Sequence, residues 1–479
     1  MKYIRLLLLT CTALLGFPVV IPAQKQILQL GDRREIFIDS YLIQDLKNVT
    51  LKLHNPEYKG KVMDFDLPWE GQFSLYTTIL RDGSLYRMYY RGRSAINADN
   101  SMAEVTCYAE SFDGIHWRKP NLGFYKIDGS SENNILLAEA APVTHNFCPF
   151  IDDNPNRTLR HRYKAIGGSG KSGLIVYVSE DGLHWEKLRD EPIITKGAFD
   201  SQNLAFWSAS EGVYVCYFRT SNKGIRSVSR ATSKDFLTWT EPVAMEFGDT
   251  PLEHLYTQQT SPYFRAPHIY IATAARFMPK RQVLTDEQAK LIGVNPSYFG
   301  DCSDAVLLST RGGSHYDRTF MESFIRPRSG LENWVSRTNY PALNVVQTGP
   351  EEMSVYVNEH YAQPTAQLAR YAFRIDGFSS LNAGYAGGEV VTKPFTFSGK
   401  EMEINFNTSA AGEIRFELQD DKGKPYPGFT AEDCQVLIGN QTDRIVEWKG
   451  KTDVSALAGK PVRLRILMKD ADLYAFKFN

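Results

Sequence analysis

The sequence predicts an all-β fold, a five-bladed β-propeller followed by a C-terminal β-sandwich. Three observations carry this expectation. Short strand-like runs rich in β-branched and aromatic residues fill the chain, a turn motif of the form Ser-x-Asp recurs through it, and a glycine cluster near residue 385 separates two differently patterned regions.

The strand runs include "LYTTIL", "LYRMYYRG", "EVTCYAES", "LIVYVSE", "VYVCYFRT", "HIYIATAARF" and "DAVLLST", each bounded by Gly, Asp, Asn or Pro. One helix stands out, "LTDEQAKLIG", where Thr285 and Gln288 have the spacing of a capping box. The turn motif reads "SFDGIHW" at 111–117, "SEDGLHW" at 179–185 and "SKDFLTW" at 233–239, so its aspartates are 68 and 54 residues apart. Degenerate copies follow as "STRGGSHY" at 309–316 and "RIDGFSS" at 374–380. Five units of this length suit four-stranded propeller blades better than a sandwich. "REIFIDSYLI" at 34–43 precedes the first unit and is expected to supply the last strand of the fifth blade. Residues 24–384 are thus assigned to the propeller and 385–479, with regular alternating strands, to the sandwich.

Residues 1–23 run from Lys2 and Arg5 through "LLLLTCTALLGFPVV" to "IPA", the order of a secretory signal peptide. A secreted or periplasmic protein beginning near Gln24 is expected. Thr10 is larger than the residue that normally precedes a lipid-attached cysteine, which disfavours an anchor at Cys11. No other stretch reaches the ~18 apolar residues of a membrane span. The remaining cysteines, Cys107, Cys148, Cys216, Cys302 and Cys434, are odd in number and lack metal-ligand spacing, so they read as buried small side chains. A net charge of -1 offers no field to recruit nucleic acid. The 12% aromatic content suits surfaces that stack on sugars, and carbohydrate is the expected partner.

Five blade-like repeats, S-x-D-G-x-x-W turns in the first two of them and a C-terminal sandwich resemble the five-bladed propeller glycoside hydrolases, relatives of glycoside hydrolase families 32 and 43. The resemblance is one of architecture and turns. The Asn-Asp-Pro, Arg-Asp-Pro and Glu-Cys signatures of family 32 are not present in order, and "EDC" at 432–434 interposes Asp433 and lies in the expected sandwich. It therefore implies glycosidic-bond hydrolysis without designating a residue for it.

Candidate residues come from propeller geometry. The innermost strands converge on the axis, so acids at their starting ends would share a pocket. Taking the first strand of each unit gives "WEGQFSLY", "THNFCPFI", "DSQNLAFW", "EHLYTQQT" and "PEEMSVYV", whose leading acids are Glu70, Asp200, Glu253 and Glu351–Glu352; the second strand offers His145 and Asn146. Glycoside hydrolysis needs one protonated and one ionised carboxyl, about 5 Å apart for retention or roughly 6.5–9.5 Å for inversion. Asp200, set among polar neighbours, is the expected base or nucleophile; Glu253 and Glu352 are the expected acids, and Glu70 completes the catalytic set. His145, Arg91, Arg265, Arg276, Trp334 and Arg337 are the expected substrate-binding residues, the arginines pointing to an acidic sugar. The competing structural reading places each acid in a turn or an arginine pair, and Arg91 with Arg93 in salt bridges between blades.

No metal or cofactor is expected. "DDNPN" at 152–156 brings structural calcium to mind, but it lacks EF-hand spacing and reads as an Asx/Pro turn. Two rival functions remain: a non-catalytic carbohydrate-binding propeller, using aromatics without an acid pair, and a sialidase-like enzyme, which requires three arginines converging near a tyrosine.

Overall fold

The computed structural model describes residues 27–93, 103–127 and 129–479, so the signal-like segment lies outside the described residues. Five antiparallel sheets form the blades. Blade I contains Leu75–Asp82, Leu85–Arg93, Glu104–Ser111 and Ile135–Leu137; blade II contains Cys148–Ile151, Tyr163–Ser169, Gly173–Ser179 and Glu186–Lys187. Blade III contains Leu204–Ser208, Val213–Asn222, Ile225–Ser233 and Val243–Ala244. In blade IV the inner strand is split into Leu255–Thr257 and Thr260–Tyr263, both paired with Ala266–Met278, and Cys302–Thr310 and Ser323–Ile325 complete the sheet.

Blade V corrects two expectations. Its inner edge is Tyr340–Pro341 and Val346–Gln347, and "PEEMSVYV" belongs to the second strand, Glu352–Glu359. Its outer strand is Glu57–Asp64, paired antiparallel with Gln367–Arg374 from Gln367↔Asp64 to Ala372↔Glu57. The ring is therefore closed by the N-terminal part of the chain, but not by 34–43. Glu35–Ile36 pairs instead with Arg463–Phe478, while Ile43–Lys47 and Val49–Leu53 join Gly388–Thr392 and Ser379–Ala383.

The boundary at residue 384 moves for the same reason. Those segments, with Met402–Gln419, Asn440–Ile445 and Arg463–Phe478, form one eight-stranded hydrogen-bonded system around a core that includes Phe37, Leu381, Phe416, Trp448 and Ile466. The C-terminal β-domain is thus built from both ends of the chain.

The recurring turns follow the third strand of each blade. Ser111, Ser179 and Ser233 each accept the backbone N–H three residues on at 2.9 Å. Asp181 Oδ1 accepts the N–H groups of Leu183 and His184, both at 2.8 Å; Asp113 and Asp235 repeat the arrangement. Gly114 and Gly182 take φ of 73° and 79°, and Phe236 occupies the same left-handed position at 68°, held there by aromatic packing against Phe150 and Tyr214. Trp117 packs edge-on against Tyr356 of blade V, and Trp185 against Tyr89 of blade I. The motif is therefore a blade clasp.

Burial opposes charge on these aspartates, yet the hydrogen bonds outweigh it and hold Asp181 and Asp235 down at about 2. Because their folded values are depressed, the stabilisation is complete above the unfolded value near 3.8 and is lost as pH falls toward 2. Asp181→Ala should cost about 1–2 kcal/mol at neutral pH, with a shallower loss of stability below pH 4 than the wild type; urea titrations across that range read both effects.

Candidate active site

With strands alternating in direction, the starts of the inner strands and the connections between second and third strands lie on one end of the ring, and the clasps on the other. The first end collects the polar residues. Asp200, just before the inner strand of blade III, is ion-paired with Arg219, and its side chain is 53% exposed. Arg219 and Arg226 flank the hairpin Asn222–Ile225, where Lys223 and Gly224 both have positive φ, so one tight turn presents both guanidiniums. Together with Arg337 they surround Tyr256: their guanidinium carbons stand 5.0, 5.2 and 5.4 Å from its ring centroid. Arg337 also lies 4.9 Å from the Tyr298 ring and 5.8 Å from that of Tyr361.

A second acid faces this group. Asp301 lies between the helical insertion and the third strand of blade IV, directly before Cys302. Burial raises its pKa; a hydrogen bond to Ser336 and the charges of Arg337 and Arg226 offset part of the rise. Among the described residues, its Oδ1 and Arg219 Nη1 are buried without a hydrogen-bond partner. Such orphaned atoms are costly in a finished core and are the groups a polar ligand would satisfy.

On the blade I–II side, buried His145 lies 3.0 Å from Glu104 and 3.2 Å from Arg91, and Arg91 donates to Tyr361 at 3.2 Å. Tyr76 stacks edge-on to His145, carries Arg91 over its ring at 4.9 Å, and donates to the Asp200 carbonyl at 3.1 Å. Backbone strain gathers here too: Tyr76, Gln259, Arg337, Asn339, His360 and Ala362 all have φ between 47° and 64°. Non-glycine residues in this region carry a cost that surrounding structure must impose.

The axis is closed beneath the cluster. Gln259 donates to Gln202 at 2.7 Å and to the Pro341 carbonyl at 2.8 Å, and Gln202 donates to Thr78 at 2.8 Å, joining blades I, III, IV and V. Below this lock Cys148, Leu204 and Leu343 form an apolar seal. A cavity of about 360 Å³ opens on the clasp side, where, among the described residues, Arg81 and Asp153 are the ionisable ones in its lining.

The remaining sequence candidates are elsewhere. Glu70 is fully buried, accepting from Tyr90 at 2.5 Å and Lys119 at 2.7 Å, and so anchors blade I. Glu352, at the clasp end of blade V, is paired with Arg370 at 2.8 Å. Arg265 is also at that end, bound to Asp376 at 2.8 Å. Glu253 is clamped by Arg276 at 2.9 Å and Arg318 at 2.5 Å, and with Arg276 and Trp334 lines a separate side cavity. The expected pairing of Asp200 with Glu253 or Glu352 is therefore not formed; the arginines around Tyr256 connect Asp200, through Arg219, and Asp301, through Arg226 and Arg337. Sequence reading missed Arg219, Arg226, Glu104 and Asp301; the first three were legible as charges at second-to-third-strand connections, whereas Asp301 stands three residues before "DAVLLST", in the insertion ahead of the run that reads as a strand. In "DDNPN", Asp152 accepts the N–H of Asn154 at 2.9 Å and Asn154 that of Asn156 at 2.9 Å, successive Asx turns, and the Asp152 carboxylate is occupied by Lys164 and Tyr214.

No family model matches the chain. The uncharacterized protein Rv1502 of Mycobacterium tuberculosis (strain ATCC 25618 / H37Rv) is 29% identical over 138 residues, 28% of this chain and 42% of that protein, so under half of the relative's length is matched. Among solved structures, a glycoside hydrolase aligns over 67% of this chain and 92% of its own at 13% identity and a TM-score of 0.44. An N-acetylgalactosamine deacetylase from F. plautii, in complex with blood group B trisaccharide, aligns over 68% and 96% at 11% identity and 0.46. A glycosyl hydrolase from Bacteroides ovatus aligns over 72% and 93% at 14% and 0.39. The five-bladed ring itself stands on the strand pairing above.

If Glu70 is an anchor, Glu70→Ala should leave Lys119 without its buried partner and destabilise the protein by about 3–5 kcal/mol. Thermal and urea denaturation would register that loss in the absence of any substrate; an unchanged midpoint with abolished activity would return Glu70 to the catalytic set.

Proposed function

We propose that the protein is a glycoside hydrolase acting on a glycoside of an anionic sugar, with Asp301 as proton donor and Asp200 as its carboxylate counterpart. The observation that carries this reading is the contrast between the two acids around Tyr256. One is half-exposed and paired with arginine; the other is pushed upward by burial and keeps an unpartnered oxygen. Divergent environments for two carboxyls are what acid-assisted departure of an alcohol requires. In this reading Asp301 transfers its proton to the glycosidic oxygen as the C–O bond breaks, and Asp200 stabilises or attacks the anomeric carbon. The Arg219, Arg226 and Arg337 guanidiniums supply a positive site for a sugar carboxylate, which their fork geometry recognises well. The leader-like residues 1–23 support an exported enzyme meeting such a substrate outside the cytoplasm.

Convergence of three arginines on one tyrosine also favours a sialidase-like variant, in which Tyr256 would be the nucleophile. Aryl uronides and aryl sialosides assayed side by side separate the two.

Asp301→Asn should lower kcat by roughly 10²–10⁴-fold on glycosides with poor leaving groups and far less on nitrophenyl glycosides, which need no proton. Wild-type activity should decline on the alkaline side as Asp301 ionises, and that limb should vanish in the variant. Asp200→Asn should abolish turnover of both substrate types. Full activity in Asp200→Asn, or equal losses on both leaving groups in Asp301→Asn, would overturn the assignment.

A further inference from the structure

Beside the axial cluster, blade IV holds a cavity of about 540 Å³ whose walls are Glu253, Arg276, Met278, Arg281, Val283, Cys302–Asp304, Ser323, Arg326, Pro327 and Trp334. It shares a partition with the axial site. Glu253 precedes Tyr256 by three residues, so one short segment presents the acid to the cavity and the ring to the arginines; Asp301 likewise adjoins Cys302 and Ser303.

The charges in the cavity divide into two sets. Arg276 donates to Glu253 at 2.9 Å and to Asp304 at 2.6 and 2.8 Å, and Arg318 closes on the other Glu253 oxygen at 2.5 Å. This set is internally satisfied. Arg281 and Arg326 are not: among the described residues neither has an acid within ion-pair distance, and both are exposed at the rim. Two uncompensated guanidiniums on a neutral base make the cavity an anion site. Trp334, Pro327, Val283 and Met278 give it an apolar wall of the kind that packs against the C–H face of a sugar ring, and its volume is in the range of small-ligand sites.

We propose that this cavity is a second saccharide subsite, taking an anionic sugar unit of an oligomeric or polymeric substrate whose reacting unit lies over Tyr256. The proposal rests on the glycosidase reading of the axial site. It deepens it: the preferred substrate is an acidic oligosaccharide, and affinity rises with chain length because a neighbouring carboxylate or sulfate reaches Arg281 and Arg326.

The full chain bearing Asp200→Asn would be titrated calorimetrically with mono- to hexasaccharides of pectate, alginate, chondroitin sulfate and heparin, and with neutral maltohexaose. At least one acidic series should bind with affinity increasing about tenfold or more between the monosaccharide and the hexasaccharide, as expected for a charge-assisted contact, and maltohexaose should not. Adding Arg281→Ala and Arg326→Ala should erase the length-dependent gain while leaving monosaccharide binding in place. Trp334→Phe should retain part of the gain, separating ring packing from misfolding. Length-independent binding, no binding to any acidic series, or an unchanged gain in the double arginine variant would overturn the subsite. Hydrolysis of the same sugars is scored separately: an Asp200→Asn protein that still cleaves them sinks the catalytic assignment but leaves the binding result standing.

Discussion

Everything in this molecule depends on one antiparallel strand pair, Glu57–Asp64 against Gln367–Arg374. Four blades are contiguous in the chain and touch their neighbours through side chains. The fifth is left one strand short, and an open ring would expose a sheet edge and a wedge of apolar surface at once. The N-terminal strand supplies both missing halves. A second tie lies immediately after it, at Asp376, the aspartate of the fifth and most degenerate turn. Its side chain is fully buried and accepts from Tyr263 at 2.7 Å, Arg265 at 2.8 Å, Asn405 at 3.1 Å and Arg34 at 3.2 Å. In the first three turns the corresponding aspartate clasps a local loop. Here it fastens blade IV, the N-terminal segment and the C-terminal sheet to one carboxylate, whose burial is offset by four donors.

Closure in turn separates the two ends of the axis. One end is spent on stability: Asx clasps, blade-spanning tryptophans and the shared C-terminal sheet. The other is left to the segments that start inner strands and join second to third strands, and these carry the acids, arginines and strained backbone. The Gln259–Gln202–Thr78 lock between the ends keeps the axis from acting as a channel. A ring held from below can hold unfavourable features above, including left-handed φ at Arg337 and orphaned atoms at Asp301 and Arg219.

Much of the ring was legible because its signals are local. The period of the Ser-x-Asp turns counts blades through a hydrogen-bonding pattern that depends on four or five consecutive residues. The capping box at Thr285 and Gln288 formed for the same reason, with both reciprocal hydrogen bonds present. The errors were in pairing. "REIFIDSYLI" reads as the closing strand while Glu57–Asp64 takes that place, and nothing local tells which open edge each segment will meet. The inner edge of blade V gave almost no signal, because Pro341 and the left-handed Asn344 break it into two-residue pieces; the stronger run beside it, led by two acids, drew the assignment instead.

The same division holds for the chemistry. Sequence by itself determined the all-β class, the blade count and the turn clasps, since each follows from near-neighbour hydrogen bonding and strand periodicity. Only the tertiary structure decided which charges meet. Asp200 and Asp301 are about a hundred residues apart and meet arginines that gather over one tyrosine, while Glu70, Glu253 and Glu352, which look equivalent in the sequence, find a lysine and arginines elsewhere. A carboxylate's role is set by the partner that reaches it first, and that partner is chosen by closure of the ring.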